Sequence, residues 1–323
     1  MKVVTAALIA LFSLVLGTGL TQAQTYPAKN VTIIVPASPG GVVDIMARML
    51  AQHLTKDWGT QVIVENKPGA TNQIAAEYVA RSAPDGYTLF LSPEATFVVN
   101  PFLFSKLTYN AEKDFTPIAG LIAIHHALVA NPSVPANNVK ELIDLAKKKP
   151  GELNYGTFGV GSSGHLNMER FAKAAGIKLT AVHYKGAAPA ITDVLAGHIQ
   201  LIFVATGSAA KPAEAGKLKI LAVGAPKRFK RLPNIATIGE TLPGFEAQSW
   251  FALFGPAGMP RPIVDKINAE VVRVMHDPEV EKTFLQPHFF DPIAGTPEQL
   301  EAFIKSETKV WSKVVHDAGI KIN

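Results

Sequence analysis

The sequence predicts an α/β protein of two domains, each a sheet covered by helices. Three observations lead there. Short β-branched runs alternate with segments of helical period along most of the chain, the signature of strand–helix–strand units and parallel sheets. The alternation is punctuated by 25 Gly and 23 Pro, too many turns for one long helical bundle. The 323 residues fit two domains, at roughly 100–200 residues each.

The elements follow in order. Met1-Lys2 supplies a positive charge, Val3 to Leu16 is almost wholly apolar, and Thr21-Gln22-Ala23 places small residues where a signal peptidase reads, so residues 1–23 read as a cleaved export signal. The apolar stretch is shorter than the ~20 residues that span a bilayer. Val31–Val35 is a buried strand by type, Pro36 to Gly41 a loop, and Ile45, Met46, Met49, Leu50 and Leu54 mark a helix that Gly59 ends. Val62–Val64 is a strand, Asn66–Asn72 a loop, Ile74–Ser82 a helix stopped by Ala83-Pro84-Asp85-Gly86, and Tyr87–Leu91 a third strand. After Asn100–Pro117, a Pro- and Asn-containing stretch, the alternation resumes. Strands are expected at Leu128–Ala130, Leu153–Phe158, Leu179–Tyr184, Gln200–Val204 and Lys219–Val223, with helices at Val139–Lys148, His165–Ala175, Ala188–Leu195 and Ser208–Ala215 between them. The end reads as helical over Ile263–His276, Glu279–Leu285 and Pro297–Ala318.

A net charge of +5, spread along the chain, favours anionic partners only weakly and gives no case for nucleic acid. Without cysteine there can be no disulfide, thiolate zinc site or cysteine nucleophile. His125-His126 are adjacent on a strand, face opposite ways and cannot chelate one ion; no metal and no cofactor are expected. One of the two histidines faces the cleft or neither does. The basic run Lys227-Arg228-Phe229-Lys230-Arg231 reads as a solvated loop, with partner docking as the alternative.

Ligands of open α/β sheets sit beyond the carboxyl ends of the strands, and two strand-to-helix loops stand out. Ala37-Ser38-Pro39-Gly40-Gly41 opens a helix, where bare amides and the helix dipole favour an anion. No Lys-Ser/Thr follows the glycines, so this is no nucleotide P-loop. Asp44, in the first turn, satisfies that turn's amides more readily than it meets a ligand, since a carboxylate there repels an anion. The second loop, Thr157-Phe158-Gly159-Val160-Gly161-Ser162-Ser163-Gly164-His165, matches G-x-G-x-x-G. It lacks the acidic residue on the next strand that would hold a ribose. A hydrolase elbow also fails, because His165 stands where its last glycine would be. The loop reads instead as an oxygen cradle of amides and of the Thr157, Ser162 and Ser163 hydroxyls. His165 either caps its helix or touches ligand.

The motifs Pro39-Gly40-Gly41-x-x-Asp44, Glu65-Asn66-Lys67-Pro68-Gly69-Ala70, Ala83-Pro84-Asp85-Gly86-Tyr87-Thr88, Lys113-Asp114-Phe115-Thr116-Pro117, Ser163-Gly164-His165-Leu166, Tyr184-Lys185-Gly186-x-x-Pro189-Ala190 and Leu242-Pro243-Gly244-Phe245 occur in this order. Together they resemble the substrate-binding receptors of the tripartite tricarboxylate transporter family, the Bug-type receptors, across the whole chain after the export signal. The resemblance implies a two-lobed periplasmic binding protein of type II, a flytrap with a mixed sheet in each lobe. It also implies a small organic acid as ligand (a di- or tricarboxylate, an aromatic acid or an acidic amino acid), integral membrane permease subunits as partners, and no catalysis. A monomer is expected, with residues 24–124 plus 248–323 as one lobe and 125–247 as the other. The site is expected at Ala37, Ser38, Gly40 and Gly41 of the first lobe and at Thr157, Phe158, Gly161, Ser162, Ser163 and His165 of the second.

Departures bear on the ligand. Thr71 and Asn72 stand where the family usually has two glycines, and are expected to narrow the cleft and add donors. Glu94 occupies a usually neutral place after the third strand. Val204-Ala205 stands where the family often has Asp-Asn, so an acidic partner for a ligand amino group is missing, which argues against an amino acid. Phe97, Phe158 and Val204 either line the cleft and favour an apolar or aromatic acid or are core. Two rival roles share these residues: a receptor that feeds a sensor kinase, and an exported hydrolase using His165 with Ser162 or Ser163, for which no ordered acid partner is visible.

Overall fold

A computed structural model describes residues 26–319 and 321–322; the export signal falls outside the described residues. The strands are β1 (Val31–Val35), β2 (Val62–Asn66), β3 (Thr88–Pro93), β4 (Phe115–Ala130), β5 (Asn154–Thr157), β6 (Thr180–His183), β7 (Leu201–Ala205), β8 (Lys219–Val223), β9 (Gln248–Pro256) and β10 (Phe290–Pro292). The principal helices are α1 (Val42–Trp58), α2 (Gln73–Ala80), α3 (Val139–Lys148), α4 (Ser163–Ala175), α5 (Ala187–Ala196), α6 (Thr206–Glu214), α7 (Arg261–Met275) and α8 (Pro297–Ala318).

One sheet runs β2-β1-β3-β9-β4-β10 and the other β8-β4-β7-β5-β6. The 16-residue β4 belongs to both. Its residues 115–125 pair with β9, and from His126 onward it pairs with β7 and β8. The parallel pairs expected from the alternation are β1–β2, β1–β3, β5–β6 and β5–β7. Every contact of β4, and that of β9 with β3, is antiparallel, so the sheets are mixed.

Period-two alternation builds the layers. Val31, Ile33 and Val35 of β1 join a core under α1 and α7, while Ile34 points into a second core under α2 and α8. In the other sheet Leu128, Ala130, Leu201 and Phe203 pack under α3 and α4, and Ala127, Val129, Ile202 and Val204 pack under α5 and α6. Each lobe is thus a sheet with helices on both faces, and β4 joins them. Where the chain returns, the His126 N–H donates to Ala247 O (2.8 Å) and the Gly224 N–H to His126 O (2.7 Å). A Cβ on Gly224 would lie 2.5–2.7 Å from Ala247, so only glycine lets these backbones meet.

Two sequence expectations need correction. The loop-like stretch before Pro117 and the short strand at Leu128 are the two ends of one long β4, and β9 was not foreseen. Both strands are buried on both faces, so neither shows alternation.

Candidate functional site

The first-lobe loop is held from behind. Asp44 is 2 % exposed. Its Oδ2 accepts the Gly40 N–H (2.9 Å) and Arg48 Nε (3.0 Å), and its Oδ1 accepts Asn66 Nδ2 (2.9 Å), which also donates to Ala37 O (2.9 Å). Burial works against the charged form, yet these bonds from Arg48, Gly40 and Asn66 hold the carboxyl below its ordinary range. Asp44 is therefore the loop's anchor. The Gly40 amide is spent on it, which corrects the expectation of a bare N–H there. Ser38, Gly40 and Gly41 are exposed and Ala37 is half-buried. Gly41 starts α1 with no side-chain cap. Among the described residues no acceptor takes the amides of Gly41, Val42 or Val43. The positive end of α1 is open.

Beside it, Ala70, Thr71 and Asn72 all have positive φ (45°, 49° and 74°). That is why glycine suits this turn, and a β-branched threonine there is strained. Asn72 Nδ2 donates to Thr96 Oγ1 (3.2 Å), so the amide donor expected from this turn is engaged, while Asn100 Nδ2 donates to the main-chain Thr71 O (2.8 Å) and pins the turn. Glu94 is 2 % exposed and turns to β9, its Oε2 accepting the Trp250 N–H at 3.4 Å. Burial, reinforced by Glu307, pushes its carboxyl up to about 8. It is a buried acid and does not line an open cleft.

The second-lobe loop is built from its own polar groups. Thr157, fully buried, meets His183 Nδ1 at 2.9 Å through Oγ1, which also accepts the Gly159 N–H (3.2 Å). The Gly161 N–H donates to His165 Nδ1 (3.1 Å) and the His165 N–H to Ser162 Oγ (3.4 Å). Burial, with the nearby His183, lowers His165 to about 4, so its ring is neutral. With Nδ1 accepting, the ring proton sits on Nε2. Ser162 meets the main chain of His165 and not its ring, an N-cap and not a nucleophile–base pair. The Gly161 amide is not bare either. Among the described residues no acceptor takes the amides of Val160, Ser163 or Gly164, so the head of α4 keeps donors without a protein acceptor, with Gly164 itself buried against the Phe158 ring. Phe158 is half-buried, its ring lying over Gly164 and edge-on to His126 at 6.3 Å. Val204 is 3 % exposed inside the core under α5 and α6, which removes it as a lining residue.

The lobes touch beside these loops. Leu103, at the end of the short helix Asn100–Leu103, lies so close to Gly161 that a Cβ there would be 2.2 Å from Leu103 Cδ2. Leu166 of α4 is buried in the first lobe's core with Leu103 and Trp250. His126 is 3 % exposed, and Nδ1 faces Asn167 Nδ2 (3.3 Å) while Nε2 faces Ser249 Oγ (3.2 Å); burial, with His125, lowers it to about 3. His125 points to the opposite face and meets Asp291 (2.8 Å). In the basic run, Arg228 pairs with Glu240, Phe229 packs edge-on to His125 and Phe289, and Arg231 donates to Gln286 O. No hydrogen bond or ion pair joins the Ala37–Gly41 loop to the Thr157–His165 loop among the described residues, and none shows three metal-ligating side chains together. Sequence reasoning missed Asn66, Leu103 and His183. Asn66 was flagged only as part of a motif, and nothing local marks the other two.

Two sheets joined by a shared strand, with a helix head beyond the carboxyl end of β1 and another beyond that of β5, define a two-lobed solute-binding protein. The description "Tripartite tricarboxylate transporter family receptor" matches residues 46–320, and the chain belongs to that family. It is 32% identical to "Protein BugT" of Bordetella pertussis over 303 residues, 93% of either chain. Among solved structures it resembles R. palustris Rpa4515 with adipate (33% identity, TM-score 0.86, covering 92% of this chain and 99% of that one). It also resembles MatC from Rhodopseudomonas palustris with bound malate (30% identity, TM-score 0.80, covering 90% and 100%).

Proposed function

We propose that this receptor works in the periplasm, captures a small di- or tricarboxylic acid between its lobes and hands it to a membrane permease. The observation that carries the reading is the pair of open helix heads, Gly41–Val43 on α1 and Ser163–Gly164 on α4, one in each lobe. Each offers amide donors and the positive end of a dipole. Charge-assisted hydrogen bonds from two such heads offset the dehydration of two carboxylates without a buried cation. Ser38, Ser162 and Ser163 add hydroxyls. The lobes would part where β4 changes partners, residues up to Ile124 and from Gln248 moving together. Adipate and malate on two relatives support the ligand class. Half-buried Phe158 makes an aromatic acid the natural second arm of the test.

The test is thermal unfolding of protein freed of co-purified ligand by denaturation and refolding, against adipate, malate, citrate, benzoate and glutamate. A ligand at a hundred times its Kd adds about 2.7 kcal/mol, a rise of several degrees for a chain this size. A folded protein whose Tm no acid moves at millimolar concentration would overturn the reading.

A further inference from the structure

A second concavity lies away from the ligand loops. It is a groove of about 950 Å³ between the lobes, with Arg170 and Lys173 of α4 and the turn Leu242–Phe245 on one wall and Lys309, Val310 and Lys313 of α8 on the other. Its floor is apolar, and Val310 is 44 % exposed. Lys309 and Lys313 have no acidic partner among the described residues. Arg170 belongs to both walls. Its guanidinium lies 5.2 Å from the Phe245 ring and 5.8 Å from the Trp311 ring, in the field of Glu307 and Glu246. The acid on the groove wall, Glu169, is already engaged by the Tyr155 hydroxyl.

We propose that this groove docks an acidic protein segment with an apolar anchor residue, presented by the membrane permease that receives the ligand. The proposal rests on the transport reading above. Lys309 and Lys313 select carboxylates, and the exposed Val310 between them takes an apolar side chain, which is the chemistry of an acidic peptide and not of a small free anion. The groove is also placed to report ligand. α4 begins with the open head at Ser163 and carries Lys173 ten residues further on, about 15 Å along one rigid helix at 1.5 Å per residue. One wall moves with the second lobe and the other with the first, so the groove has its present shape only when the lobes stand as they do here. A partner that fits this shape favours this arrangement of the lobes, and whatever factor bound ligand adds to its affinity, it adds by linkage to the affinity for ligand.

The experiment places the photo-crosslinker p-benzoylphenylalanine at position 310, or at position 63 on the far edge strand β2, in cells that carry the native transporter. Adducts are identified by mass spectrometry. The expected result is a receptor–permease adduct from position 310, absent from position 63 and reduced at least tenfold by Lys309→Glu with Lys313→Glu, while that purified double variant keeps the wild-type thermal shift with organic acids. A permease adduct from position 63 alone, or one at 310 that survives charge reversal, overturns the docking site and leaves transport standing. No permease adduct from either position overturns docking and delivery together, and the thermal shift then shows separately whether ligand capture stands.

Discussion

The contact between Gly161 and Leu103 allows the two-lobed reading to be tested with one methyl group. Gly161 has φ +76°, and a Cβ there would lie 2.2 Å from Leu103 Cδ2 and 3.4 Å from its Cγ. Gly161→Ala therefore carries two separable costs. Placing an L-residue in the left-handed region costs about 1–2 kcal/mol in open and closed receptor alike, so it lowers stability and leaves the closure equilibrium alone. The overlap with Leu103 exists only when the second lobe reaches the first. Overpacking of this kind costs about 1–3 kcal/mol, which at 1.4 kcal/mol per tenfold weakens ligand binding by about 5- to 150-fold. Titration calorimetry with whichever acid raises Tm most measures Kd for wild type, Gly161→Ala, Leu103→Ala and the double variant, while urea unfolding isolates the backbone cost. Leu103→Ala removes the obstruction, so the double variant should bind within a few-fold of Leu103→Ala. The coupling energy between the sites should equal most of the loss in the single variant. Unchanged affinity in Gly161→Ala, or a double variant no better than Gly161→Ala, would mean that the liganded receptor does not bring these residues together.

Three more predictions follow from buried polar groups. Asp44→Ala strips the Gly40 amide and Asn66 of a charged acceptor; with such bonds worth about 1.5–3 kcal/mol each and not additive, a loss of about 2–4 kcal/mol is expected in urea, together with weaker acid binding. Wild-type stability with intact ligand affinity would leave Asp44 no role in shaping the loop. Glu94 titrates near 8 in the fold and near 4.3 unfolded, so the folded state holds the extra proton and stability should fall as pH rises between those values. Glu94→Gln should abolish that slope and raise Tm at pH 8–9 with little change at pH 4, and a slope equal to wild type would refute the assignment. His126 has the opposite sign, titrating near 3 folded and near 6.5 unfolded. Its contribution is complete above pH 6.5 and is lost as pH falls toward 3, so His126→Asn should flatten the acid limb of a Tm–pH profile, and an unaltered limb would count against a buried neutral imidazole.

What could be read from the sequence divides by range. β1, α1 and α3 follow from local pattern: Val31–Val35 is β-branched throughout, Gly59 ends α1 at φ +64°, and Asn138 caps α3 by accepting the Glu141 N–H. The two loops were visible because glycine and serine at a strand-to-helix junction have a local chemical meaning. Which amides stay open was not visible, since that depends on Asp44 reaching back four residues and Asn66 reaching across from β2. Asn72 looked like an added donor, but its amide already binds Thr96, and the turn itself is pinned by Asn100 on the Thr71 carbonyl. Glu94 and Val204 sit at cleft-like places in the order of elements, yet one side chain turns to Trp250 and the other into the core. Side-chain direction at a strand end is set by neighbours far along the chain, and periodicity carries no record of them.

The place of β9 between β3 and β4 has a consequence for how the chain comes to be made. The first 130 residues supply β1 to β4 but leave a strand-wide vacancy in their own sheet. The middle third can complete its sheet with the far end of β4, as an insertion that matures before its host. Only the last quarter, beginning at Gln248, closes the vacancy and brings α7 and α8 to the two faces. Until then β3 and β4 present unpaired edges, the kind that recruit other chains. A receptor truncated before Gln248 should therefore suffer less from a missing tail than from an unclosed seam, exposed to every other nascent copy.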